Sequence, residues 1–146
     1  MDIVQKFETD GLAERRALIY DDDEIYAEEC AEALERFGYV TETRAGRTDF
    51  LRLVDAFSPD IVILDLHMPG RDGVEALRAL RDYEHKGEVS VVLVSAASHV
   101  MLETAADLAL AYGVKLLGTF SKPVKIADLA ALLGGLTAAG DKTTQN

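Results

Sequence analysis

The chain of 146 residues is long enough for one domain with a sizeable core, and its 49% hydrophobic content argues for a folded chain. Its formal net charge of −11 disfavours direct binding to nucleic-acid phosphates or to anionic membranes. The single cysteine, Cys30, excludes an intramolecular disulfide bond, and no apolar run approaches the ~20 residues that a membrane helix needs. We therefore expect a cytoplasmic protein.

Short apolar runs and stripes of apolar residues at helical spacing alternate five times along the chain. The runs predict strands, because unbroken apolar segments of this length are typical of strands that are covered on both faces. The alternation indicates right-handed crossovers and a parallel sheet with helices on both faces. The predicted strands span residues 17–20, 39–44, 61–64, 89–94 and 114–120, and the predicted helices span 26–37, 50–57, 74–87, 98–112 and 126–136.

The limits of the domain follow from where this alternation starts and stops. We expect the domain to span residues 16–136. An N-terminal extension, residues 1–15, precedes it and could form a short helix or turn. Small and polar residues fill the segment 137–146, which we predict to be a flexible tail.

Polar side chains follow four of the five predicted strands. Asp21 and Asp22 come after strand one, Asp65 after strand three, Ser95 after strand four and Lys122 after strand five. Each alone is ordinary, because such residues commonly cap helices or start turns. Since parallel strands end at one edge of the sheet, where ligands bind in open α/β folds, their coincidence predicts a functional site.

The charges of these groups indicate which chemistry the site supports. Three carboxylates in one cleft repel one another, which favours a divalent cation with oxygen ligands such as Mg²⁺, or Mn²⁺. A carboxylate can also act as a nucleophile and form an aspartyl phosphate. The Lys122 ammonium and the Ser95 hydroxyl would then contact phosphoryl oxygens, because phosphoryl transfer needs positioning and charge neutralisation.

These residues resemble the receiver domain of two-component response regulators, over roughly Arg16 to Leu136. An acidic pair ends strand one, an apolar-Asp-x-x-Met-Pro-x-x-Asp-Gly motif spans Asp65–Gly73, a serine precedes Ala96, and Lys-Pro follows strand five. The resemblance implies a doubly wound, flavodoxin-like (βα)5 fold of the α/β class. Its five-stranded parallel sheet would have the order 2-1-3-4-5. The Lys122–Pro123 peptide would be cis.

The resemblance also implies a function and a role for each site residue. Asp65 would be the phosphoacceptor, taking a phosphoryl group from a sensor histidine kinase or a histidine phosphotransfer protein. Ser95 would be the switch hydroxyl and Lys122 the phosphate contact. Mg²⁺ or Mn²⁺ would be held by Asp21, Asp22, Asp65 and the backbone carbonyl of His67.

The resemblance implies that the domain would work as a switch rather than as an enzyme. It would catalyse only its own phosphorylation and dephosphorylation. The face formed by helix four, strand five and helix five would change shape and control an output domain or a homodimer. The segment Gly113–Pro123 is similar to receivers that precede EAL-type cyclic-di-GMP phosphodiesterase domains, so the sequence fits either a stand-alone receiver or the N-terminal part of a longer regulator.

Three details of the sequence leave alternatives open. Among three consecutive aspartates, Asp21 and Asp22 match the family's acidic pair, and Asp23 is a candidate for the helix N-cap or the first helical turn. Thr119 stands where the best-known receivers carry an aromatic switch residue, and Phe120 should point to the other face of its strand. The His67 side chain either tunes the phosphate lifetime or simply faces solvent.

Helix four has more apolar residues than one buried stripe requires, among them Met101, Leu102, Leu108 and Leu110. The surplus is either ordinary core or a surface that meets a partner. We hypothesise a partner surface, for a second copy or for an attached output domain.

Other classes of protein fit the sequence less well. A phosphatase with an aspartate nucleophile would carry a second aspartate two residues later, where this chain has His67. A flavin or nucleotide carrier would need a glycine-rich turn after strand one, where the aspartates repel phosphate. A receiver-like module without phosphorylation is disfavoured because every expected active-site group is present.

Overall fold

Five parallel strands form the central sheet of the computed structural model, which describes residues 14–44, 49–68, 71–96 and 99–134. The order of the strands is β2-β1-β3-β4-β5, which confirms the predicted 2-1-3-4-5 topology. β2 lies at one edge, as its weak alternation indicates. The strands are β1 (Arg15–Tyr20), β2 (Tyr39–Arg44), β3 (Ile61–Asp65), β4 (Ser90–Ser95) and β5 (Lys115–Ser121).

Helices connect these strands and cover both faces of the sheet. A small antiparallel hairpin, His67–Met68 with Arg71–Asp72, follows β3. The helices are α1 (Glu24–Arg36), α2 (Phe50–Phe57), α3 (Gly73–Arg81), α4 (His99–Ala111) and α5 (residues 126–134). None of the helices in the described ranges is long and apolar enough to span a bilayer. The predicted extension falls almost wholly, and the tail wholly, outside the described residues, so the domain limits stay a prediction.

The sheet separates two hydrophobic clusters because successive side chains of a strand point to opposite faces. On one face, Leu18, Val62 and Leu93 pack with residues of α2, α3 and α4. On the other face, Ile19, Ile63 and Val92 pack with residues of α1 and α5. The unbroken apolar runs of the strands are therefore explained by burial on both sides.

Helix α4 corrects part of the hypothesis of an apolar partner surface. Leu102 is 4% exposed and belongs to the core, and Met101 and Leu108 are half-buried. Leu110, by contrast, is 64% exposed. Leu102 is thus explained as core, whereas Leu110 remains the exposed part of the surplus.

The end of α3 differs from the prediction, which placed it near Gly87. The helix ends at Arg81, where the N–H of Asp82 donates to the carbonyl of Ala79 at 3.3 Å and the N–H of Tyr83 to that of Leu80 at 3.1 Å. These bonds span three residues instead of four, so the last turn tightens and the helix stops. A short 3₁₀ turn, Lys86–Glu88, then leads into β4.

Lys86 joins the carboxyl ends of two helices. Its ammonium donates to the carbonyl oxygens of Arg81, at the end of α3, and Tyr112, just beyond α4, each at 2.8 Å. Both carbonyls lack a helical partner, and a cation there also complements the helix dipoles. Lys86→Met should therefore lower the free energy of unfolding by about 1–2 kcal/mol in urea denaturation. Lys115→Met, at an exposed lysine on β5, is the matched control, and equal losses in both variants would contradict the role of Lys86.

Candidate functional site

Side chains from distant parts of the sequence meet at the carboxyl-terminal edge of the sheet. The Lys122 ammonium, just after β5, lies 2.9 Å from Oδ2 of Asp21 and 3.4 Å from Oδ2 of Asp65. Both carboxylates are 2% exposed. Asp22 adds a third carboxylate, and one oxygen of each acid lies within 4.8 Å of the others. The structure therefore brings the three predicted acids and the predicted lysine into one cleft.

The register of the strands explains this convergence. Tyr20 is paired with Leu64, Asp65 with Val94, and Ser95 with Ser121. The apolar strands thus end almost level with one another, and the polar residue that follows each run reaches the same edge.

The fully buried Ser95 is tied to the segment that carries the lysine. The backbone N–H of Lys122 donates to the carbonyl oxygen of Ser95 at 2.8 Å. The Lys122–Pro123 peptide is cis, which confirms the expectation from the resemblance.

The three consecutive aspartates separate into different positions. Asp21 is buried, Asp22 is half-buried and Asp23 is exposed. Oδ1 of Asp21 accepts from the Asp23 N–H at 2.9 Å, and Oδ1 of Asp23 accepts from the Tyr26 N–H at 3.0 Å. Asp23 is therefore the N-cap of α1, and the other two remain available to the cleft.

Electrostatics in the cleft favours a bound cation. Burial lowers the pKa of Lys122, but hydrogen bonds and charge from Asp21 and Asp65 outweigh it, so that its pKa is raised. The lysine therefore stays charged, yet three carboxylates face one ammonium. Oδ2 of Asp21 is buried and, besides its ion pair with Lys122, accepts no hydrogen bond within the described residues. Clustered hard oxygen atoms with spare acceptor capacity fit Mg²⁺ or Mn²⁺.

The chain matches a known protein family over most of its length. The model of the response regulator receiver domain matches residues 17–134. The chain belongs to the receiver-domain family. The acidic cleft of this receiver contains Asp21, Asp22 and Asp65, for which the sequence motifs predict a metal site and a phosphoacceptor, and those roles stay predictions.

Individual relatives agree with the family assignment. A positive alginate biosynthesis regulatory protein of Pseudomonas aeruginosa is 32% identical over 119 residues, which cover 80% of this chain and 44% of that protein. The transcriptional regulatory protein PdtaR of Mycobacterium tuberculosis is 32% identical over 124 residues, covering 84% of this chain and 56% of the relative. The chain thus spans about half the length of these curated relatives.

A solved structure also agrees. A response regulator from Colwellia psychrerythraea is 33% identical, with a TM-score of 0.69, and the match covers 87% of this chain and 99% of that chain. Attachment of this receiver to an EAL-type domain is tested by none of these similarities and stays a prediction.

The sequence left questions open at Thr119 and His67, and the structure bears on the first of them. Thr119 is exposed, whereas Phe120 packs into the cluster beneath α1 and α5, so the ring lies on the other face of β5 as expected. The His67 backbone belongs to the hairpin that follows β3. Its carbonyl as a metal ligand stays a prediction, and its side chain lies outside the described residues.

Tyr26 is a site residue that the sequence reading missed. Its ring lies over the Lys122 ammonium, with 4.9 Å between Nζ and the ring centroid. Burial raises the pKa of Tyr26, and so do the neighbouring Cys30 thiol and the charges of Asp21 and Asp65. Helical spacing alone places Tyr26 only in the buried stripe of the first helix. One feature of the sequence could have indicated its role: Tyr26 lies in the first turn of the helix that follows the acidic pair.

Proposed function

We propose that Asp65 accepts a phosphoryl group from a phosphohistidine of a sensor histidine kinase or of a histidine phosphotransfer protein. One observation carries the proposal: the buried carboxylate of Asp65 lies close to two further acids and to a charged lysine. A carboxylate oxygen of Asp65 would attack phosphorus, the P–N bond would break, and the histidine ring would keep the electron pair. Water would later cleave the acyl phosphate and regenerate the carboxylate.

The side chains around Asp65 divide the remaining tasks. Asp21, Asp22, Asp65 and the His67 carbonyl would hold Mg²⁺ or Mn²⁺, which supplies positive charge to neutralise phosphoryl oxygens. The Lys122 ammonium already lies 3.4 Å from Asp65 and would contact another oxygen of the phosphoryl group. The Ser95 hydroxyl would donate to a third oxygen.

The same contacts suggest how phosphorylation would reach the surface. The backbone bond between Lys122 and Ser95 couples the end of β4 to the end of β5, which is the edge strand of the sheet. Movement of Ser95 toward a phosphoryl group would favour one conformer of the α4-β5-α5 face. That face, which includes exposed Leu110, would then control an output domain or a homodimer.

On this proposal the chain is a signalling module in the cytoplasm and not an enzyme with a separate substrate. It would catalyse only its own phosphorylation and the later hydrolysis. Neither nucleic acid nor membrane would be a direct partner, because the net charge of −11 repels both.

Incubation with acetyl phosphate and Mg²⁺, followed by intact mass measurement, tests the proposal. We expect an adduct of about 80 Da, the mass of one phosphoryl group. The adduct should fail to form when a chelator removes the divalent cation. A chain that acquires no adduct, or that hydrolyses a small phosphate ester through many turnovers, would contradict the proposal.

A further inference from the structure

The Lys122 ammonium has three different neighbours: two carboxylates and an aromatic ring. Asp21 lies 2.9 Å away and Asp65 3.4 Å away. The face of the Tyr26 ring covers the ammonium at 4.9 Å from the ring centroid. The lysine thus rests between two negative side chains and the electron-rich face of an aromatic ring, which attracts cations.

Local contacts hold Tyr26 in this position. Its backbone N–H donates to the Asp23 cap at 3.0 Å, which fixes the first turn of α1. The buried Cys30 lies one helical turn further on, on the same face of the helix as Tyr26. Val124, just beyond Pro123, packs against the same hydrophobic cluster as the ring. The N-cap bond and the packing against this cluster therefore hold the ring in place.

The hydroxyl group does not account for the placement of this residue. The Tyr26 oxygen is buried and makes no hydrogen bond of ordinary geometry within the described residues. Burial is the main reason why the pKa of Tyr26 is raised, and the Cys30 thiol, a weak hydrogen-bonding group, has the next largest effect. An aromatic face over a cation is thus the favourable contact that Tyr26 makes at the site.

We propose that Tyr26 is a positioning residue for phosphoryl transfer, whose ring holds the Lys122 ammonium beside Asp65. This inference rests on the proposed function. Lysine has a flexible four-carbon stem, and without the ring it would sample positions away from Asp65. Ordering the ammonium would then have to occur during the reaction, which slows it.

The test compares Tyr26→Leu, which removes the aromatic face, with Tyr26→Phe, which keeps it. With phosphoramidate as the donor and saturating Mg²⁺, the leucine variant should be phosphorylated roughly 3- to 30-fold more slowly. The phenylalanine variant should stay within about twofold of the parent chain. Ile25→Ala, at the adjacent and 75% exposed position, is the matched control and should leave the rate unchanged.

Dependence on the lysine separates positioning from a merely structural role. In the Lys122→Met background, Tyr26→Leu should cause no further slowing. An equal slowing with and without the lysine, or a folded leucine variant with the parental rate, would overturn the inference. If the leucine variant fails to fold, as judged by circular dichroism, Tyr26→Met provides a flexible apolar side chain without an aromatic face.

A measurement without donor or metal separates this inference from the proposed function. Protons above an aromatic face are shifted upfield, so the Lys122 εCH₂ resonances should be upfield in the parent chain and in Tyr26→Phe. In Tyr26→Leu they should return to ordinary positions. Unshifted resonances in the parent chain would overturn the positioning role, whereas shifted resonances without any phosphoryl adduct would overturn the proposed function alone.

Discussion

Asp65→Asn is expected to abolish the phosphoryl adduct while making the metal-free protein more stable. The amide cannot attack phosphorus as a carboxylate does, so no adduct should form. Without a cation, Asp65 adds a buried negative charge to a cleft where Asp21 and Asp22 already lie within 4.8 Å. Removing that charge should raise the free energy of unfolding by about 1–2 kcal/mol, because repulsion exceeds the weaker pairing with Lys122.

Urea denaturation with and without Mg²⁺ measures the free energy of unfolding of the parent chain and of Asp65→Asn. The advantage of Asp65→Asn should be present in a chelator and should shrink or reverse in saturating Mg²⁺, since binding stabilises the parent chain more. Asp128→Asn, at an exposed acid on α5, is the matched control and should change stability little. A less stable metal-free Asp65→Asn protein would contradict the repulsion that we ascribe to this cleft.

The sheet and most of the site could be predicted because both depend on local sequence patterns. Uninterrupted apolar runs such as Ile61–Leu64 mark strands that are covered on both faces, and parallel strands necessarily end at one edge. The polar residue that follows each run therefore reaches that edge, whatever the details of packing. Asp65 and Lys122 could be placed together on this ground alone.

Contacts between elements could not be predicted in the same way. The Tyr26 ring reaches Lys122 only because α1 packs beside the end of β5, and helical spacing describes the ring merely as part of a buried stripe. Helical spacing also does not show the early end of α3, where backbone bonds across three residues close the last turn. Periodicity also cannot show how much of an apolar helix the sheet covers, which is why Leu102 of α4 proved to be core.

Lys122→Met is expected to tighten Mg²⁺ binding and yet slow phosphorylation. Methionine keeps the apolar stem but removes the positive charge that pairs with Asp21 at 2.9 Å and Asp65 at 3.4 Å. A divalent cation should then bind about tenfold more tightly, because it no longer competes with the ammonium for these oxygens. Phosphoryl uptake should slow roughly 100-fold, because a positioned donor to the phosphoryl oxygens is lost.

The same variant also has a signature in the pH dependence of stability. Since the pKa of Lys122 is raised above its usual value of 10.5, the ion pair contributes fully below about pH 10.5. Its contribution is lost as the pH rises through the raised pKa. The parent chain should therefore lose stability over this alkaline range, and the methionine variant should lose less, because Lys122 no longer contributes to the loss.

Titration calorimetry with Mg²⁺ and a time course of intact mass with phosphoramidate measure the two opposite effects of Lys122→Met. Lys125→Met, three residues further along at an exposed position, removes the same charge from the chain but not from the cleft. It should alter neither quantity appreciably, which separates the local effect from a change in net charge. Weaker Mg²⁺ binding in Lys122→Met would show that the lysine organises the acidic cleft instead of competing with the cation for it.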